Sequence, residues 1–388
     1  MRRVLLLLLG VVLAGVAALF TIGPRLIEHA ANKILQPAPY FVSSAARQLH
    51  DGLFVADMHA DPLLWGRDLL QRSWYGHVDI PRLIDGGVAL QVFGVVTKVP
   101  SGQNYESNDA ASDVITALAV IERWPIATWT SLKARALYQA GRLHDFAARS
   151  GGRFTVIESR ADLERYVARR EKTRAITAGL LDIEGLQVLE GDLANLDVMQ
   201  RAGFRMMGLE HFFDNELGGS AHGTGKGGLT EFGKQVVRRM EAAHIIVDLA
   251  HASPRMIDDV LAMATRPLVV SHTGVKGTCD TIRNLSDDHV RRVAATGGVI
   301  GIGYWDAAVC DVSVAGIVRA IQYTVQLAGV DHVALGSDFN GATVTPFDTT
   351  GVALITEGLL KAGFSDDDIA KIMGGNVVRL LRESLPSE

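Results

Sequence analysis

The sequence predicts an α/β fold, a TIM-like (β/α)8 barrel behind an N-terminal transmembrane or signal helix. Three observations predict it. Eight short apolar runs are continuous rather than alternating, the character of strands buried on both faces of a parallel sheet. Between most of them lie amphipathic stretches long enough for one helix, as a βαβ chain requires. Acids and histidines stand at the downstream ends of these runs, where the strands of such a barrel would bring them to one face.

The chain begins with Arg2 and Arg3, followed by an almost uninterrupted apolar stretch of 19 positions from Val4 to Ile22. As a helix this is roughly 28 Å long, about the thickness of a bilayer core. The two arginines favour a cytoplasmic amino terminus with the rest of the chain across the membrane. A cleaved signal peptide is the alternative, with Val16-Ala17-Ala18 as a weak small-residue cleavage site. Both readings export the body, to a periplasmic or extracellular location or as a secreted form. Residues 1–24 are thus the expected anchor or signal, 25–50 a juxtamembrane linker broken by Pro37 and Pro39, and 51–384 the barrel.

The predicted strands lie near 53–57, 89–96, 178–183, 204–210, 245–250, 267–271, 298–303 and 332–337. Helices fall between them, for example from Leu229 to Ala243, where Thr230 can cap, and from Ser286 to Ala295, where Ser286 precedes two acids. Residues 104–175 depart from the simple repeat, with two or three helices and a short apolar run, Phe154 to Ile157, that suits an extra strand. The glycine-rich segment Gly218 to Gly228 fails as a phosphate loop, because Lys226 is not followed by Ser or Thr and no glycine sits five residues before Gly225. It reads as a flexible active-site loop. A formal charge of -5 and a pI near 6.2 exclude the basic footprint of a nucleic-acid binder. The two cysteines, Cys279 and Cys310, are a candidate disulfide in an exported protein or else two buried thiols.

Taken singly, each strand-end residue has an ordinary structural explanation; together they do not. His59, His211, His251 and His272 end four of the eight predicted strands, and Asp61, Glu184 and Asp338 end or follow three, Asp61 sharing its strand with His59. Imidazole and carboxylate satisfy a first-row divalent metal, and two such ions sharing a water lower its pKa enough to give hydroxide near neutrality. Glu184, with two oxygens, can bridge.

The set His59-Ala60-Asp61, Glu184-Gly185, His211, Asp248-Leu249-Ala250-His251, Ser271-His272, Arg283-Asn284 and Gly336-Ser337-Asp338-Phe339-Asn340-Gly341 resembles the renal (membrane) dipeptidase family of zinc peptidases, over about residues 50–382. The resemblance implies a barrel with two Zn2+ ions that hydrolyses dipeptides by attack of a metal-bridged hydroxide. It implies that His59 and Asp61 hold one ion, His251 and His272 the other, and Glu184 both. His211 would polarise the scissile carbonyl, Arg283 take the substrate carboxylate, and Asp338 move the proton. Cys279 and Cys310 fall where some members form a disulfide. The sequence departs from the family at Gly185-Leu186, at Phe212-Phe213 and at Asn340, all near the pocket, which bears on substrate more than reaction. Tyr304 and Trp305 end the seventh strand and either wall the pocket or pack in the core.

Two rivals stand beside this reading. One is another binuclear amidohydrolase of lactonase, phosphotriesterase or deacetylase type, for which the His-Ala-Asp strand end and the absence of a bridging lysine are the wrong signature. The other is a membrane-tethered, non-catalytic binding protein. The expected partners are dipeptides and a membrane through the N-terminal helix, with no nucleic acid; a homodimer is allowed, not required.

Overall fold

The continuous apolar runs form strands whose residues are buried throughout. The computed structural model describes residues 2–388, and its strands are β1 (Lys33–Ile34), β2 (Val55–Ala60), β3 (Val88–Phe93), β4 (Phe154–Val156), β5 (Thr177–Leu181), β6 (Met206–Gly208), β7 (Ile246–Asp248), β8 (Val269–Thr273), β9 (Val299–Ile302), β10 (Val333–Leu335) and β11 (Val344–Thr345). Every residue of β2, β3, β5 and β8 is buried, as strands walled by helices demand.

Nine strands pair in parallel in the order β4-β5-β3-β2-β10-β9-β8-β7-β6. The row closes on itself between β5 and β6. Leu181 bridges Phe204, Arg205 N donates to Leu181 O at 3.2 Å, and Gly208 N donates to Ile183 O at 2.7 Å, which joins the end of β5 to β6. β4 pairs with the start of β5, Phe154 opposite Thr177, and is the extra strand expected near Phe154. One apolar cluster takes a residue from each barrel strand, among them Met58, Val92, Leu180 and Val269, together with Tyr166 and Leu380 from helices. A second, larger cluster packs strands against the helices around them.

Local signals set the helix starts. Thr230 accepts from Gly233 N at 3.0 Å to open the helix Glu231–Ala242, and Ser286 accepts from His289 N at 3.2 Å to open Asp287–Ala295. The insertion between β3 and β5 carries three helices, Val114–Ile121, Leu132–Arg149 and Arg160–Arg170.

Two expectations change. The N-terminal stretch is helical from Arg2 to Thr21, but among the described residues no helix is long and apolar enough to cross a membrane. Arg2 and Arg3 lie inside this helix and Ile22 outside it, so its apolar part is Val4 to Phe20, roughly 26 Å, against a hydrocarbon core of about 30 Å. Leu5, Leu7 and Leu9 are exposed on it. Residues 25–50 are also more than a linker. Within the helix Gly23–Ala31, Glu28 is buried and accepts from Arg67 Nε at 2.6 Å and Asn340 Nδ2 at 3.0 Å, while β1 pairs with β11. This segment is fastened to the loop that follows β10.

Candidate metal centre

Parallel strands ending on one face bring the sequence-selected residues together. His59 ends β2, with Asp61 just beyond. Glu184 follows β5, His211 follows β6, His251 follows β7, His272 lies in β8, and Asp338 follows β10. All seven are buried.

Glu184 is the hub. Its Oε1 lies 3.4 Å from His59 Nε2, 3.2 Å from His251 Nε2 and 3.3 Å from His272 Nε2, and its Oε2 lies 3.2 Å from His211 Nε2. His59 Nε2 is 3.4 Å from Asp61 Oδ1, and the Nε2 atoms of His251 and His272 are 3.0 Å apart. Three metal-capable triads overlap here: His59, Glu184 and His272; Glu184, His211 and His251; His59, Asp61 and Asp338. His211, expected as a catalytic and substrate-binding group rather than a metal ligand, is thus as near to Glu184 as the expected ligands.

The surrounding hydrogen bonds decide which nitrogens face inward. His272 Nδ1 is 2.8 Å from Ser271 Oγ, and Ser271 in turn shares a side-chain hydrogen bond with Asp248. His59 Nδ1 lies 3.5 Å from Asp182 Oδ2. Both rings therefore turn Nδ1 outward and Nε2 to the centre. The Nε2 atoms face one another and a carboxylate; His59 Nδ1 and Nε2 and Asp61 Oδ1 have no hydrogen-bond partner. An electron-rich, buried cluster of this kind fits divalent cations.

The proton affinities express the same demand for positive charge. Burial opposes charge on His59, but Asp61 and Glu184 outweigh it and raise the imidazole well above its ordinary range. Burial pushes the Glu184 carboxyl up, yet His211 and His59 hold it well below the usual range. Burial, then Arg283, drives His251 well down, and burial, then His59, does so for His272. Burial, then Asp61, raises Asp338 well above the carboxylate range.

Backbone geometry is committed to the site as well. His251 and Asp338 sit at φ 63° and 59°, the left-handed region that non-glycine residues rarely occupy. A Cβ on Gly94 would stand 2.2 Å from Asp61 Oδ1, so only glycine lets β3 pass this close.

Arg283 is buried at the rim. Its Nη2 donates to His272 O at 2.6 Å and lies 3.4 Å from His251 Nε2, the guanidinium stacks 5.5 Å from the Trp305 ring, and Nε has no partner. Trp305 lines the cavity, whereas Tyr304 packs in the core against Phe339 and Phe347. Cys279 and Cys310 are joined in a disulfide, S–S 2.11 Å, that ties the segment before Arg283 to the one after Trp305.

The glycine-rich loop is not a free flap. Asp214 accepts from Ser220 N at 2.9 Å and Gly225 N at 2.6 Å, and a Cβ on Gly223 would stand 2.0 Å from Asp214 Oδ1. Its His222 stacks on Phe212 at 4.7 Å and donates from Nδ1 to Tyr105 O at 2.7 Å, forming a wall beside His251. Sequence reasoning passed over His222 and the orienting acids Asp57, Asp182 and Asp248. The signal was there: each acid precedes a site residue by two or three positions.

The chain belongs to the membrane dipeptidase family, peptidase family M19, whose sequence model matches residues 43–386. It is therefore a metal-dependent dipeptidase, an α/β enzyme built on a parallel sheet. Dipeptidase aclJ of Aspergillus oryzae is 28% identical over 355 residues, 84% of this chain and 77% of that protein. An uncharacterized protein in the pqqA 5' region of Klebsiella pneumoniae is 30% identical over 259 residues, 63% of this chain and 94% of that one. Among solved structures, a metallo peptidase from Rhodobacter sphaeroides liganded with a phosphinate mimic of the dipeptide L-Ala-D-Ala superposes with TM-score 0.71 at 24% identity, covering 86% of this chain and 99% of that one. The probable dipeptidase PvdM from Pseudomonas aeruginosa gives TM-score 0.71 at 22% identity, over 88% and 97%.

Proposed function

We propose that this protein is a binuclear zinc dipeptidase acting outside the cytoplasm. The observation that carries the reading is the convergence of imidazole Nε2 atoms on the two oxygens of Glu184, with Nδ1 turned outward toward Ser271 and Asp182. His59 and Asp61 would hold one ion, His251 and His272 the other, and Glu184 both. When bound, two zinc ions supply Lewis acidity at the scissile carbonyl and lower the pKa of water enough to yield a nucleophile near neutral pH.

The protein's own groups do the rest. Arg283, whose Nε has no partner, takes the free carboxylate of a short substrate as a planar cation can. His211, held by Lys98 O at 3.4 Å from Nδ1, directs Nε2 at the developing oxyanion. Asp338, buried beside Asp61 and His59, carries the proton to the leaving amine. The exported location is supported by the Cys279–Cys310 disulfide, of the kind that persists in oxidising compartments, and by the apolar helix led by two arginines.

A substrate panel on zinc-loaded protein tests the reading. Dipeptides should be cleaved to free amino acids, and γ-lactones and phosphotriesters left intact. Turnover of a lactone or phosphotriester without dipeptide cleavage would reject it.

A further inference from the structure

Above the metal-capable floor lies a cavity of about 320 Å³ whose walls are apolar. Its distinctive part is the insertion helix Val114–Ile121, sequence Val-Ile-Thr-Ala-Leu-Ala-Val-Ile, which is apolar on nearly its whole circumference. One side buries Ala119 against Leu64, Trp65 and Trp124, with Ile115 and Leu118 at the boundary between this cluster and the cavity. The other side presents Val114, Ala117, Leu118 and Ile121 to the cavity, the i, i+3, i+4, i+7 spacing of a single helical face. Val114 is 41% exposed and Ala117 is exposed as well, so the start of this face is left uncovered, while Ile121 approaches the helix Gly23–Ala31. A second apolar stripe beyond the one facing the core is what a helix needs only if something apolar sits on it.

The wall is fixed in place. Asp113 caps the helix by accepting from Ile115 N at 3.0 Å, and it pairs at 2.6 Å with Arg135 Nη1, whose Nη2 donates to Thr116 Oγ1 at 2.7 Å. Arg135 is itself 1% exposed, so the helix is held by a buried clamp rather than by surface contacts. The only acids lining the cavity among the described residues are Asp61, Glu184 and Asp338, all on its floor, and the only arginine or lysine is Arg283. A charged substrate side chain against the wall would find no counter-ion.

The two ends of a dipeptide are distinguished by position. Arg283 touches His251 and His272, on one side of the floor. The wall packs instead on Leu64 and Trp65, which follow Asp61 in the chain, and Asp61 lies beside His59 rather than beside His251 and His272. With the carboxylate at Arg283, the residue on the far side of the scissile bond is the amino-terminal one.

We propose that this cavity selects dipeptides whose amino-terminal residue carries a large aliphatic or aromatic side chain, seated against Val114, Ala117 and Ile121. The proposal rests on the dipeptidase reading above and adds the substrate class. A pocket that buries such a chain discriminates against its truncation by about tenfold or more, and against an isosteric carboxylate by roughly a hundredfold or more, since that charge would be buried unpaired.

The test is kcat/KM of the zinc-loaded full chain on Leu-Gly, Phe-Gly, Ala-Gly and Asp-Gly, and on the reversed series Gly-Leu, Gly-Phe and Gly-Asp. Leu-Gly and Phe-Gly should exceed Ala-Gly by at least about tenfold, with little spread in the reversed series. Ala117→Lys, at an exposed wall position, should raise the Asp-Gly to Leu-Gly ratio by about tenfold or more while leaving the preference for a free carboxylate unchanged. Equal turnover across the amino-terminal series, or selectivity that follows the carboxy-terminal residue, would overturn this inference and leave the dipeptidase reading standing. Absence of turnover for every dipeptide would overturn both.

Discussion

Arg283→Ala separates a dipeptidase from a general amidase. The guanidinium is buried, its Nη2 is committed to His272 O at 2.6 Å, and its Nε has no partner, so the remaining donors are oriented but unspent. A carboxylate placed there gains one or two charge-assisted hydrogen bonds in a dry pocket. Losing them costs about 2–5 kcal/mol, or roughly 30- to 4,000-fold in KM at about 1.4 kcal/mol per decade. A dipeptide amide offers no carboxylate and should be cleaved poorly by both proteins, with little further loss on substitution. Arg283→Lys should recover only part of the effect, because an ammonium cannot supply the fork, although it keeps the positive charge near Trp305. Steady-state kinetics on paired substrates, Leu-Gly and its amide, provide the assay. If wild type cleaves the two equally and Arg283→Ala loses equally on both, Arg283 does not read the carboxylate and the role assigned to it is wrong.

Other outcomes follow from the same geometry. Glu184→Gln should weaken both metal sites together, by at least about a hundredfold in zinc affinity; loss of a single ion with full activity, seen by metal titration, would reject the bridging role. His77 is fully buried, accepts from Asn340 N at 2.9 Å through Nδ1 and faces Lys33 O at 3.2 Å through Nε2, which fixes it neutral, and burial lowers its pKa to about 3. Because the unfolded imidazole titrates near 6.5 and the folded one about 3, the native state loses stability as pH falls below about 6.5, by about 1.4 kcal/mol per unit until about pH 3. Urea titrations of wild type and His77→Gln at pH 7, 6 and 5 should differ by that slope, and parallel pH profiles would refute it. Replacing Cys279 and Cys310 by alanine opens a loop with a sequence separation of 31 and should cost about 2–4 kcal/mol, read from the unfolding midpoint; an unchanged midpoint would count against it.

How far the sequence reached can be judged from particular elements. The barrel strands were legible because a strand buried on both faces must be continuously apolar, and β2, β5 and β8 obey that rule. The seven clustered residues from His59 to Asp338 were legible because parallel strands carry their downstream ends to one face, so position along each run predicted proximity across almost three hundred residues, whereas Arg283 stands at no strand end. Contacts without a periodic signature were not legible. Glu28 meets Arg67 and Asn340 across separations of 39 and 312 residues, and nothing in the pattern around Glu28 announces a partner so distant. The apolar wall was missed for another reason: a short apolar helix in the insertion reads as core, and only the exposure of Val114 beside the cavity reveals its second face. The N-terminal stretch shows the limit of counting apolar positions, since the helix takes in Arg2 and Arg3 and leaves out Ile22.

The central claim is that imidazoles and carboxylates gathered around Glu184 hold two zinc ions for peptide hydrolysis. Metal analysis of purified, folded protein, reconstituted with zinc and dialysed to remove loose ions, tests it most directly. The account predicts about two zinc ions per chain, released together with dipeptidase activity by chelation and restored with it on adding zinc back. No bound zinc after reconstitution, or dipeptide cleavage undiminished once all metal has been stripped, would contradict it.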